Sequence, residues 1–484
     1  ALLCLCRGLY KYDADGALVP AMAESYEVSE DGCTYTFKLK EGLKWSDGSP
    51  LTAHDFEYSW KRVLDPEVGS ETAYTLYGVI KNGYECFVSK TVAVDDLPIK
   101  ALDDTTFQVE LKAPASYFLT LTASTAFMPV CKANVEKYGE DWSSSPETYV
   151  CNGPFMLADM KKDESYTLVK NPNYYNADEV QIDTVKYVFL NAPETVKMAF
   201  DNGELDIATS VNSDALKAYT GTDKLMSSDR IGYRYYEFNC SKEPFNDARV
   251  RRALTLALNR KIITEGILQD ATLPQLYGWV PYGIKDVVDP TQDWRNVVGN
   301  AFEEDIEEAK ALLAEAGYPN GEGFPTFSIK YTPSVELENV AQAMAAMWKQ
   351  YLGLNCEVTA VESGVYWADE GTRATGDFEI AYMGYTLDYA EPSAAFAVLE
   401  NAEGKAKTRW DCPAYLELCN KMRTSLTNEE REALYKDMEA LLAQECPVMP
   451  IYNYVATALV SERVQGFTRN ANGHPNFEYC TIAE

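Results

Sequence analysis

Between residues 320 and 385 strand-like and helix-like patterns alternate. Phe327 to Tyr331, Cys356 to Val361 and Phe378 to Tyr382 read as strands, and a helical pattern from 337 to 352, ending in Leu352-Gly353, lies between the first two. Such alternation is the signature of helices packed on a sheet, so this stretch predicts an α/β layer. Further helical runs flank it. One covers 305–316 and ends in Ala316-Gly317, a good C-cap, and another covers 428–444 and is stopped by Pro447. Asn246 or Asp247 caps a third, whose apolar stripe is Val250, Ala253, Leu254, Ala257 and Leu258. The arginines of that helix lie largely off the stripe.

The first 150 residues have a different texture, strands and turns with one clear helix. Thr34 to Lys40 alternates, with Tyr35, Phe37 and Leu39 on one face, and Phe107, Val109 and Leu111 repeat the pattern. Thr52-Ala-His-Asp55 resembles a capping box with Asp in place of Glu, and Phe56, Trp60, Val63 and Leu64 follow at helical spacing. A strand-rich run spans Val180 to Leu190, and a short helix starts at Pro193 and ends in Asn202-Gly203. No internal repeat and no low-complexity linker is visible. Domains are therefore expected to join through crossings of the chain.

Composition then narrows the function. Seventy-four Asp and Glu face 43 Lys and Arg, a formal net charge of −31. Phosphate backbones and anionic membrane surfaces need cationic protein, so nucleic-acid binding is excluded and flat membrane binding disfavoured. No run of about 18 apolar residues exists to span a bilayer. At 484 residues the chain is long enough for two or three domains and a full core without disulfides or metals. Twelve Cys are scattered without a CxxC pair and are expected to be mostly reduced and buried. With only His54 and His474, a Cys/His zinc site is not expected. There is no GxSxG, P-loop, HExxH or GxGxxG motif. A glycosidase-type carboxylate pair is arithmetically possible, but nothing singles out two of the acidic residues. The expectation is a protein that is not an enzyme and needs no cofactor.

Residues 21–62 read AMAESYEVSEDGCTYTFKLKEGLKWSDGSPLTAHDFEYSWKR. This stretch resembles the signature of the bacterial family 5 extracellular solute-binding proteins, the peptide-binding components of ABC importers. Further matches follow in order: Asn152-Gly-Pro-Phe155, Asn171-Pro-Asn-Tyr-Tyr175, EPFNDARVRRALTLALNRKII at 243–263, AKALLAEAGYP at 309–319, and Tyr385-Thr-Leu-Asp-Tyr-Ala-Glu-Pro392. The similarity covers essentially the whole chain and is closest to the oligopeptide-binding branch.

The resemblance implies a two-lobed α/β fold of the periplasmic-binding-protein type (type II, cluster C) with an extra small α+β domain. Lobe I would comprise residues 1–9, 149–231 and 455–484, the small domain 10–148, and the second α/β lobe 232–454. The lobes would close on a short peptide held as an added β-strand, hinging near 231–240 and 450–457. Main-chain hydrogen bonds would supply affinity without reading sequence. The family's W-x-x-D-Y-x-x-P motif falls on Tyr385 to Pro392, which makes Asp388 the partner of the peptide's α-ammonium. Gly384, Tyr385 and Thr386 would pair with the peptide backbone, and Tyr385 and Tyr389 would help dry the site. Tyr74, Glu237 and Tyr366 fall on other ligand-contacting positions, and Arg373 keeps one of the basic positions that can meet the peptide carboxylate.

Three departures accompany the match. Tyr382 and Leu337 stand where an arginine and a histidine occur in well-known members, which leaves open how the peptide carboxylate is met. Gly232 and Thr386 occupy the places of a family disulfide near the pocket. The chain also begins after the expected first strand of the larger lobe, so that strand, and any signal or lipid anchor, are expected to precede residue 1. The implied receptor is monomeric, works with permease subunits, and lies in the periplasm or, lipid-anchored, on the outer face of the cytoplasmic membrane. Three other readings stay open. The same fold could take an oligosaccharide or a chelated metal such as nickel, the chain could be a signalling or adhesion receptor, or it could be a carboxylate hydrolase.

Overall fold

The computed structural model describes residues 2–14, 16–115, 117–190, 192–209, 211–400, 406–425 and 427–483. The chain forms two compact units. The first comprises residues 1–226, 423–426 and 457–484, the second residues 227–422 and 427–456. Residues 10–148, expected as a small domain, fall in the first unit together with the segments expected as lobe I, except 227–231 and 455–456, which fall in the second.

In the first unit, β1 (Ala23–Val28), β2 (Thr34–Leu39), β3 (Ile99–Asp103) and β4 (Thr106–Glu110) form an antiparallel sheet in the order β1-β2-β4-β3. The alternation seen in the sequence has its cause here. Tyr35, Phe37 and Leu39 alternate inward on β2, opposite Val109 and Phe107 on β4. Helix α1 (Ala53–Val63) covers this face, and its start is fixed by the Thr52 N–H, which donates to the Asp55 carboxylate at 2.9 Å. Fully buried Trp60 meets Phe107 and Phe127 edge-on at 4.8 and 4.9 Å, and its indole N–H donates to the Phe127 carbonyl. A buried polar tip with a partner lets so large a ring serve as the centre of the core.

A second antiparallel sheet follows, with β5 (Phe155–Lys161), β6 (Ser165–Lys170) and β7 (Thr184–Val188) in that order. The strand expected over 180–190 is shorter than its pattern suggested. Its pairing partner β6 reaches only from Ser165 to Val169 opposite it, and the Val180 carbonyl accepts instead from the Lys170 ammonium. Helix α2 (Pro193–Asp201) lies where expected. The C-terminal segment is tied in by Glu478, a fully buried carboxylate that receives Arg7 at 2.8 Å, Lys11 at 2.6 Å and the Tyr174 hydroxyl at 2.8 Å.

The second unit is built on a mixed sheet. Its strands are β8 (Leu225–Phe238), β9 (Phe327–Tyr331), β10 (Cys356–Ala360), β11 (Ile380–Thr386) and β12 (Val448–Val460), in the order β12-β8-β11-β9-β10. The chain enters this unit within β8 and leaves it within β12. Strands β9 and β10 are parallel, joined by helix α5 (Val335–Leu352), as the alternation predicted. That helix starts two residues before the expected 337 because Ser334 caps it. Helices α3 (Ala248–Leu256), α4 (Ile306–Glu315) and α6 (Asn428–Glu445) complete the layer, and α6 ends where Cys446 turns left-handed.

Two expectations are corrected here. The arginines near α3 are not all peripheral. Arg251 is buried and donates to the carbonyls of Phe245, Glu445 and Cys446, and Arg260 is buried against the carbonyls of Pro450 and Phe302. Free carbonyls at chain turns make interior sites for guanidinium, which apolar periodicity cannot reveal. The strand expected over 378–382 runs instead from 380 to 386, because β8 offers register partners as far as Gly232. All twelve cysteines are free thiols, eight of them buried.

Candidate functional site

The lengthened strand β11 creates an unfilled edge. It pairs antiparallel with β8, with Gly232 opposite Thr386, Arg234 opposite Gly384 and Tyr236 opposite Tyr382. Just beyond either end, the Leu387 N–H donates to the Ile231 carbonyl at 2.7 Å and the Asn239 N–H to the Glu379 carbonyl at 2.9 Å. Hydrogen-bonded pairs alternate along an antiparallel ladder, so residues 381, 383 and 385 turn their main-chain groups toward β8. The N–H and C=O groups of Tyr382, Gly384 and Thr386 therefore face the other way. On that side β9 pairs only as far as Lys330 opposite Ala381. The Tyr382 carbonyl is taken by the Tyr366 hydroxyl at 2.7 Å. Among the described residues no strand pairs with Gly384 and Thr386 on the side facing away from β8.

Glycines shape the same spot. A Cβ on Gly384 would lie 2.1 Å from the Tyr454 hydroxyl oxygen and 2.8 Å from Arg234 Nη1, and one on Gly232 would lie 2.9 Å from Tyr454 Cδ2. Both positions must be bare for the Tyr454 ring to sit against the sheet. Gly232 and Thr386, expected at the place of a disulfide, are direct cross-strand partners.

Asp388 lies two residues past the strand end. Its Oδ2 accepts from the Tyr385 hydroxyl at 3.2 Å, and both side chains are half-buried. The chain beyond is anchored. Glu391, buried, caps the helix Pro392–Ala397 through the Ser393 N–H at 2.8 Å, and also receives Arg431 at 2.9 Å and the Tyr435 hydroxyl at 2.5 Å. Tyr389 bonds Ser393 at 3.1 Å. Asp388 is thus a carboxylate held between two fixed points beside exposed main-chain donors and acceptors.

Glu237 and Arg373 meet each other. The guanidinium grips the carboxylate at 2.7 and 3.2 Å, with both residues buried. Burial pushes the Glu237 carboxyl up and Arg373 only partly offsets it. The Tyr235 hydroxyl also faces Glu237 at 3.4 Å. Tyr366 is fully buried, its hydroxyl spent on the carbonyls of Tyr382 and Lys330. Leu337 lies in the core of the second unit and Tyr382 packs against it. Tyr74 stands in the first unit, on the short helix Ala73–Tyr77, and is 41% exposed.

Sequence reading missed Arg230, Arg234, Glu336, Tyr452 and Tyr454, which surround the two glycines. The available signal was Arg230, Gly232 and Arg234 at spacing two, which places both cations on one face of a strand. Among the described residues no group of three or more His, Cys, Asp or Glu is placed to hold a metal ion, and no helix is long and apolar enough to cross a membrane.

The chain is similar in sequence and fold to known binding proteins. The periplasmic oligopeptide-binding protein OppA of Salmonella typhimurium is 34% identical over 472 residues, covering 96% of this chain and 84% of that protein. The unliganded open form of the periplasmic murein tripeptide binding protein MppA superposes with a TM-score of 0.87 at 28% identity, covering 99% of this chain and 92% of that one. OppA of Haemophilus influenzae, solved in complex with RPPGFSPFR, gives a TM-score of 0.72 at 28% identity, covering 100% of this chain and 94% of that one. The model of the family's middle region matches residues 17–407, and the chain belongs to the bacterial extracellular solute-binding proteins, family 5.

Proposed function

We propose that this chain is the extracytoplasmic receptor of an ABC importer, binding short peptides and passing them on chemically unchanged. One observation carries the reading. The main chain of Gly384 and Thr386 forms an unpaired strand edge that leads directly to the carboxylate of Asp388. An extended peptide adds to such an edge through its own backbone, whatever its sequence. Its α-ammonium then reaches Asp388, where a charge-assisted hydrogen bond is short and strong. Tyr385 orients the carboxylate through its hydroxyl. Glu237 and Arg373 act from behind, stiffening β8 against the segment that carries Arg373. The names of the relatives, oligopeptide- and tripeptide-binding proteins, support the same ligand class. The proposal includes a monomeric protein, permease subunits as partners, and a place in the periplasm or, lipid-anchored, on the outer face of the cytoplasmic membrane.

The test is release of native ligand. Wild type and Asp388→Asn are purified without denaturation, acidified, and the released small molecules identified by mass spectrometry. A ladder of short peptides from wild type, lost in the variant, is expected. Peptides retained by both would remove Asp388 from its role, and a sugar or a metal chelate would overturn the peptide assignment.

A further inference from the structure

A second charged feature lies on the same strands. Arg234 on β8 stands opposite Gly384, and its guanidinium carbon is 4.5 Å from the Tyr382 ring centre and 5.5 Å from that of Tyr454. Two aromatic faces thus fix the plane of the guanidinium. Its Nε donates to the Tyr452 hydroxyl at 3.3 Å, and among the described residues this is its one hydrogen bond. The nearest carboxylate oxygen, on half-exposed Glu336, is 3.9 Å from Nη2, beyond hydrogen-bond range, and itself receives the Tyr452 hydroxyl at 3.0 Å. Both Nη groups are therefore open for a further acceptor. Arg230 is 5.8 Å from the Tyr454 ring centre, its Nη2 donates to the Thr386 hydroxyl at 3.4 Å, and its buried Nε has no partner among the described residues. Arg230 and Arg234 thus bring two cations to this face, with Glu336 displaced from direct contact with Arg234, and Asp388 past the strand end.

We infer that Arg234 receives the C-terminal carboxylate of the bound peptide and so restricts it to about three to four residues, by strand spacing. The inference rests on the strand-edge reading proposed above. A guanidinium already held flat offers a planar fork that matches a carboxylate with two parallel hydrogen bonds. The length follows from register. Arg234 stands level with Gly384, and Asp388 lies four residues further along. At about 3.3 Å per residue the two charges are spaced by roughly 13 Å of strand. A peptide with its ammonium at Asp388 runs antiparallel to β11, and its carboxylate arrives near Arg234 after three or four residues. Gly384 leaves room for the side chain of Arg234 to lie close over it.

The test compares trialanine and tetraalanine with their C-terminal amides and their N-acetyl forms by isothermal titration calorimetry. With wild type, amidation is expected to weaken binding about 10- to 100-fold, the usual effect of losing a charge-assisted pair. With Arg234→Gln, the free acid is expected to fall to the level of the amide, so the acid-to-amide ratio approaches one. A merely structural role would weaken both ligands and leave the ratio unchanged, which would overturn the inference. Equal binding of acid and amide to wild type would overturn it as well, and needs no variant to fold. N-acetylation reports separately on the strand-edge reading. If it has no effect, or if no alanine peptide binds, that reading fails and this inference with it.

Discussion

Removing Arg373 is the perturbation that the structure specifies most fully. Arg373→Gln removes the guanidinium that grips the Glu237 carboxylate, at a position with no solvent exposure. Breaking a buried pair from one side costs about 3–5 kcal/mol, because the remaining charge stays desolvated. In a unit of roughly two hundred residues, melting falls by about 2–4 °C per kcal/mol, so the unit that holds the pair melts roughly 6–20 °C lower at neutral pH. The pH dependence has a definite sign. Burial already raises the Glu237 carboxyl above its ordinary 4.5, with Arg373, the Lys407 N–H and the Tyr235 hydroxyl opposing. A raised folded pKa means that the native state holds the proton more tightly, so stability is lost as pH rises through the window above 4.5. Without Arg373 the rise is larger and the window wider. The gap between variant and wild type should open from pH 4.5 upward and close on acidification. Differential scanning calorimetry across pH 4.5 to 8 reads this directly. The double variant Glu237→Leu with Arg373→Met removes both charges and should recover most of the loss. Equal melting at pH 7, or a gap that does not vary with pH, would refute the reasoning.

Asp388→Asn should weaken binding of a free-amine peptide about 10- to 100-fold by calorimetry while leaving the melting temperature within about 2 °C, since the residue is not core. Gly384→Ala should displace Tyr454 and Arg234, costing about 1–3 kcal/mol in denaturant unfolding and reducing peptide affinity together; an unchanged unfolding midpoint would contradict the close approach of the Tyr454 hydroxyl. Glu478 gives the opposite pH sign from Glu237. Burial pushes its carboxyl up, but Arg7 and Lys11 outweigh that and hold it below 4.5, so its contribution is present above pH 4.5 and disappears as pH falls through the lowered value. Glu478→Gln should therefore lower the melting temperature at pH 7 and lose that deficit in acid, as read by circular dichroism.

The sequence by itself determined the local elements and the family. Period-two alternation at Tyr35, Phe37 and Leu39 is a consequence of one buried face, and any chain with it makes that strand. The capping residues of α1 and α3, and the parallel pair around α5, follow from side chains within a few positions of each other. Asp388 was legible because a short motif carries it. The tertiary structure decided what those residues face. Whether β11 stops at 382 or runs to 386 depends on how far β8 extends, and the open edge exists only because β9 ends at Tyr331. Glu237 and Arg373 were legible as polar residues of interest, but 136 positions separate them and only the fold makes them partners. The local sign of Arg234 was only its spacing of two from Gly232 and four from Arg230, since an arginine on a strand reads as solvated until Tyr382, Tyr452 and Tyr454 close around it. Periodicity reports which face of an element is buried; pairing across elements belongs to the assembled chain, where desolvation and register decide it.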